Sequence, residues 1–315
     1  KAAVGGSYVN SIVATNDVVY VGGLISAGNG VTRKNLMAFD SAGKLLAWAP
    51  TTDMQVDGMA LTPAGDKLIV GGRFTLVNGV AQRGLVALSP SDGSIFSGWI
   101  APTIIKNGAT TGKAGVYSIT ADSDSLYATA WSFGGVAAGN LEGSARIDPD
   151  TGAILWMQDC HGDEYSAYSD GTNVYFAGHP HDCQTVGGYP QGDGSNVHYA
   201  VGFTKEVKGT LDSTTANSTY SNWGGQPAPA MVNWYPDVIS GSATGQGQGV
   251  WTFDGSGDYL VAGGEFPGIN NKTQYGLVRF ARSNVAGTTG DGPRLSGTAT
   301  NTAFTWTISA MSPAA

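Results

Sequence analysis

The chain has 315 residues, including 48 glycines; 41% are hydrophobic, only 13% are charged, and the formal net charge is −8. A chain of that length buries a core without metals or many disulfides, and its glycine-rich, charge-poor composition is that of a turn-rich β protein. The acidic balance, with no cluster of Lys or Arg, argues against nucleic acid or an anionic membrane as partner, and no apolar run reaches the roughly 18 residues of a bilayer span.

From the N-terminus onward, one unit recurs. Its signature is an apolar run closed by paired glycines: VVYVGG at 18–23, LIVGG at 68–72 and YLVAGG at 259–264. A short apolar segment precedes each run. Another follows across an Asn/Gly-rich loop, as NLMAFD (35–40), GLVALS (84–89) and GLVRFA (276–281). A further segment carries tryptophan in LLAWAP (45–50), IFSGWIAP (95–102), ILWMQD (154–159) and VNWYPD (232–237). Four short strands per unit, joined by tight turns at Ala42-Gly43, Asp92-Gly93 and Thr151-Gly152, predict an all-β, five-bladed β-propeller of four-stranded antiparallel blades.

The predicted blades cover residues 9–50, 56–102, 116–159, 164–237 and 250–281 of a propeller spanning 1–285. The fifth lacks a tryptophan-bearing strand, so Ala2 to Tyr8 are expected to supply it and close the ring, hiding the sheet edges. Residues 286–315 are read as an exit strand, a linker or the opening of a further domain.

The phrase VGGRFTLVNGV, echoed in VGGLISAGNGV and AGGEFPGINN, resembles the delta-60 or Kelch-like propeller repeats of secreted and cell-surface bacterial proteins. The segment CHGD…GHPHDC…GGYPQ is similar to a blade of actinobacterial surface propellers. The resemblance spans roughly residues 9 to 281 and implies a propeller within a larger exported protein, tethered to further domains. It implies no particular activity.

Stacking the innermost strands gives VNSIV (9–13), VDGMA (56–60), VYSIT (116–120), EYSAY (164–168) and VWTFD (250–254). The third column is small throughout, as crowding at an axis demands. The second column, Asn10, Asp57, Tyr117, Tyr165 and Trp251, mixes rings with short polar groups and is the candidate ligand surface. A sugar stacks on such rings and hydrogen-bonds to the rest, although the same aromatics could simply pack between blades.

Both cysteines and all four histidines fall between Cys160 and His198. Cys160 and Cys183 could be free thiols, part of a metal site or one disulfide; the low-lysine, Gly/Ser/Thr-rich setting favours a disulfide in an extracytoplasmic protein. His161, His179 and His181 with Asp163, Glu164 or Asp182 form a candidate site for Zn²⁺ or a similar divalent ion. The alternative is that these histidines only cap backbone and pair with the acids.

Three functions follow as expectations. The first is an extracellular or cell-surface binding or adhesion module for a glycan or a protein partner, with its ligand face at the Cys160–Cys183 end and the axial mouth. The second is a glycan-cleaving glycosidase or lyase, for which Glu164, Asp57 and His161 are the candidate catalytic groups. The third is a structural spacer in a surface appendage, with its axial mouth plugged. No nucleophile elbow, phosphate-binding loop or H-E-x-x-H pattern is present.

Overall fold

The computed structural model describes residues 1–108, 112–191, 197–214 and 219–282, and the backbone of a hairpin pairing Leu295–Thr300 with Ala303–Ile308. Apart from that hairpin, the expected exit segment 286–315 lies outside the described residues. The described chain is nearly all β. Helix is confined to one turn at Ala101–Ile104 and two 3-10 turns at Gly135–Ala137 and Gln184–Val186.

Five of the antiparallel sheets, each opened by a hairpin of two long strands, follow one another along the chain, with smaller two- and three-stranded sheets between them. Sheet one contains Val4–Ala14, Val18–Gly28 and Leu36–Asp40, with Val31–Thr32 added at the far end of its second strand. Sheet two contains Val56–Leu61, Leu68–Gly72 and Leu85–Leu88. Sheet three has four strands, Ala114–Ala121, Leu126–Ser132, Gly143–Ile147 and Ile154–Gln158. Sheet four contains Glu164–Ser169, Asn173–Gly178 and Ala200–Thr204, and sheet five Val250–Ser256, Tyr259–Gly264 and Leu277–Ala281. First strands of consecutive sheets pack side by side in chain order, from the first sheet to the fifth.

The small third column explains how closely they pack. The Ser11 hydroxyl accepts the Met59 backbone N–H at 3.0 Å, and the Ser166 hydroxyl accepts that of Phe253 at 3.0 Å. Between sheets two and three, a Cβ added to Gly58 would sit 2.7 Å from the Ser118 Cα. Apolar side chains then fill the wedge between sheets. Tyr20, Leu36 and Ala38 of sheet one meet Val56, Met59 and Val70 of sheet two, and Ile69, Leu85 and Ala87 meet Val116, Ile119 and Ala128 of sheet three.

The expected fourth strand forms a full ladder only in sheet three among the described residues. Elsewhere it shrinks to isolated bridges, Leu45 to Phe39, Ile95 to Leu88 and Met231 to Phe203. In the first of these segments the Trp48 Nε1 donates to the Ser89 carbonyl at 3.0 Å, just past the third strand of the following sheet, and so latches sheet one to sheet two without a ladder. Trp156, within the laddered strand of sheet three, makes the same bond to the Lys205 carbonyl at 2.7 Å.

The N-terminal residues also depart from expectation. Val4 to Tyr8 do not join sheet five; they pair with Leu24 to Gly28 and lengthen the first hairpin of sheet one. Next to it Ile25 packs with Val21, Met37 and Phe39, and the Asn29 side chain donates to the Gly43 carbonyl at 3.0 Å and accepts the Ala3 N–H at 2.8 Å.

Gly58→Val inserts three methyl-sized groups where the neighbouring backbone already stands at contact, and overpacking of this kind costs about 1–3 kcal/mol. Urea unfolding should show that loss. An unchanged midpoint would mean that the first strands of sheets two and three are not in contact.

Candidate functional site

Each sheet carries the same irregularity. Pairing between the first two strands skips one residue, between Val9 and Ser11, Val56 and Gly58, Val116 and Ser118, Glu164 and Ser166, and Val250 and Thr252. The skipped residues are Asn10, Asp57, Tyr117, Tyr165 and Trp251, the second column of the stacked repeat. A bulge re-aims the side chain it extrudes. Repeated at one height in adjacent strands, it collects those side chains at one end of the molecule.

Tyr117, Tyr165 and Trp251 line one cleft of about 420 Å³ with Arg73, Trp131, Phe133, Asp163, Thr244 and Gln246. Tyr165 lies between the other two rings, with its centroid 5.2 Å from Tyr117 and 4.4 Å from Trp251. Its hydroxyl is 3.0 Å from Nδ1 of His179, which also lies 3.2 Å from Gln248 Oε1. Asp57 reaches the cleft through Arg73, whose Nε donates to its carboxylate at 3.2 Å while the guanidinium lies 4.9 Å from the Trp131 ring centre. Burial raises the Asp57 carboxyl pKa against the opposing pull of Arg73 and Gln55. Asn10 does not line the cleft; its amide donates to the Val56 carbonyl at 2.9 Å and to Asp57 at 3.4 Å.

Arg73 and Trp131 of the cleft escaped the sequence reading. They share with His179 one register position, directly after the residue that pairs with the one preceding each bulge. Glu265 holds that position in sheet five, where its carboxylate accepts the backbone N–H groups of Thr244 and Gln248. Stacking the second strands as well as the first would have exposed this column. Glu142 gives no such signal, since it follows an irregular segment. Burial and the neighbouring Asp163 carboxylate push the Glu142 carboxyl pKa up to about 8, and burial raises that of Asp163 against the opposing pull of His179 and of its hydrogen bond with Glu142.

At the other expected site, the Cys160–Cys183 disulfide is formed. Backbone bonds zip its two loops together, with His181 N–H donating to the His161 carbonyl at 2.9 Å and His179 N–H to that of Asp163 at 2.9 Å. The histidines gather here but face different neighbours. His161, buried and with φ of 42°, stacks on Tyr220 at 3.6 Å and lies 3.5 Å from both Asp159 and Asp182. His179 turns to Tyr165, and His198 packs edge-on to Tyr189 at 4.3 Å. Burial and the other two imidazoles lower the pKa of His181. Among the described residues no group of three His, Cys, Asp or Glu is arranged to hold a metal ion, so His161, His179, His181 and Asp163 do not converge as the zinc reading expected.

Glu164 also departs from expectation. It is fully buried between sheets three and four, accepts a hydrogen bond from the Gln158 amide, and stands away from the cleft lining. Gln158 in turn donates to Ser144 at 2.7 Å and accepts the Cys160 N–H at 3.1 Å. Asp57 and Glu164 therefore do not form an exposed hydrolase pair; one is held by Arg73 and the other is a core group.

No family model matches the chain, and no curated protein matches it. Solved structures do resemble it. One is a chain described as the crystal structure of the mitotic checkpoint complex, with 13% identity and a TM-score of 0.42, covering 81% of this chain and 59% of that one. This chain thus spans less than two thirds of that one. Another is the WD40 beta propeller domain of Doa1, with 10% identity and a TM-score of 0.40, covering 88% of this chain and 94% of that one.

Desolvation pushes the Glu164 carboxyl pKa up to about 8, against about 4.3 in an unfolded chain. The folded protein therefore keeps a proton that the unfolded chain sheds across that interval. This contribution to stability is complete below the unfolded value and is lost as pH rises towards the folded one. Glu164→Gln copies the shape of the protonated acid. Thermal melts from pH 5 to 9 should fall less steeply for the variant than for the parent, with the Glu142–Asp163 pair supplying the slope that remains. Identical slopes would show that Glu164 is not held protonated.

Proposed function

We propose that the five sheets are successive blades of a β-propeller and that the chain is a binding module acting outside the cytoplasm, with carbohydrate as its ligand. The observation that carries this reading is the cleft of Tyr117, Tyr165 and Trp251, three rings extruded by the same bulge in three consecutive sheets. Sugar rings present C–H faces that stack on aromatics and hydroxyls that seek fixed polar partners. Asp163, Gln246, Thr244 and Arg73 stand around the rings in the required mixture of donors and acceptors.

The open cleft speaks against a plugged spacer. The carboxyl groups speak for binding without cleavage. Glycoside hydrolysis uses two carboxyls about 5–9.5 Å apart, whereas Asp163 is hydrogen-bonded to Glu142. The disulfide supports an oxidising compartment. Among the described residues no helix is long and apolar enough to cross a membrane.

A glycan array followed by titration calorimetry on the strongest hit tests the proposal. Trp251→Ala should weaken binding at least tenfold, about 1.4 kcal/mol, with its melting temperature little changed. Absence of binding to any glycan, or equal affinity in the variant, would defeat it.

A further inference from the structure

The repeat compares each junction between sheets with the others. The residue before each bulge and the one three positions after it, Val56 and Met59 in sheet two, Val116 and Ile119 in sheet three, Glu164 and Ala167 in sheet four, and Val250 and Phe253 in sheet five, are all buried. Their register equivalents in sheet one are Val9 and Ile12, and these are 45% and 62% exposed.

The receiving surface shows the opposite deficit. Gly22 lies under Val56 and Met59, so that an added Cβ would meet Val56 Cγ1 at 2.8 Å, and Gly71 lies under Val116, also at 2.8 Å. Gly263 holds the same position in sheet five, yet its nearest atoms are Thr252 Cγ2 of its own sheet and the Gly276 carbonyl. Leu277, whose counterparts Leu36 and Leu85 are fully buried, is half-exposed. The series therefore ends in an apolar knob on sheet one and an apolar seat on sheet five, both unfilled by the described residues, and built like the two halves of every internal junction. Val4 to Tyr8 are committed to pairing with Leu24 to Gly28 of their own sheet and do not reach the seat.

We propose that a second copy of this chain fills them, the Val9–Ile12 edge of one molecule seating against the Gly263–Leu277 face of the next. The interface is head-to-tail, because the two surfaces differ. It continues the packing already seen between consecutive sheets, and neither surface carries an acid to oppose it at Val9, Ile12, Gly263 or Leu277.

Light scattering after size exclusion, over a concentration series, tests this directly. The parent chain should pass from monomer to at least twice the monomer mass as concentration rises. Val9→Asp/Ile12→Asp and Leu277→Asp should each remain monomeric, and an equimolar mixture of the two should recover a dimer, since it restores one matched pair of edges. Because aspartate at Leu277 could disturb sheet five, each variant is checked by circular dichroism, and Val9→Ser/Ile12→Ser with Leu277→Ser serves as the milder set. A parent that stays monomeric at every concentration, or a mixture of folded variants that fails to associate, overturns the proposal. So does an intramolecular disulfide in a monomeric Val9→Cys/Leu277→Cys chain, which would show the two edges closing within one molecule.

Discussion

The structure depends on how closely the first strands of neighbouring sheets approach one another. That approach is tolerated because the third residue of each strand is Ser, Gly or Thr. In two places the serine hydroxyl takes the N–H that the neighbouring strand would otherwise leave unpaired, an omission that costs about 1–3 kcal/mol for a buried group. Close packing also explains the bulges. With the third residue committed to the neighbouring strand, the residue before it is squeezed out of the ladder and turned towards one end of the molecule.

This gives the site an economical origin. The same backbone defect recurs five times, and its chemistry is decided by which side chain occupies it. In sheets one and two the occupants are Asn10 and Asp57, which hydrogen-bond to each other and bring Arg73 in. In sheets three to five they are Tyr117, Tyr165 and Trp251, which form the cleft wall. Recognition capacity is concentrated on the aromatic side, and the polar side acts as its anchor. The disulfide end serves the same site indirectly, since the zipped loops place Asp163 in the cleft lining and His179 behind the Tyr165 hydroxyl.

Much of this was legible in the residues, and what was not has a physical cause. The paired glycines, the small third column and the aromatic second column were readable because each repeats at a fixed offset. The bulge itself could not be read, since alternation of side chains looks regular until pairing partners are known. The fourth strands were over-read because a tryptophan segment marks a place in space, and a single indole hydrogen bond such as that from Trp48 holds it without a ladder. The zinc reading rested on proximity alone: the His161 and His179 rings lie 6.4 Å and 6.5 Å from that of His181, but His161 stacks on Tyr220 and His179 bonds to Tyr165. Glu164 could be read from the valine column as a group needing partners, but not which ones: it is fully buried, hydrogen-bonded to Gln158, and raised in pKa by desolvation against the pull of Gln158 and Ser144.

The central claim is that the bulge residues of three consecutive sheets form one ligand surface. A crystal structure of the protein soaked with an oligosaccharide that it binds tests this most directly. The account predicts a sugar ring stacked on Tyr165 or Trp251, with hydroxyls directed towards Asp163 and Gln246. A sugar seated elsewhere on the molecule, or rings of Tyr117, Tyr165 and Trp251 packed into the protein so that no cleft remains, would contradict it.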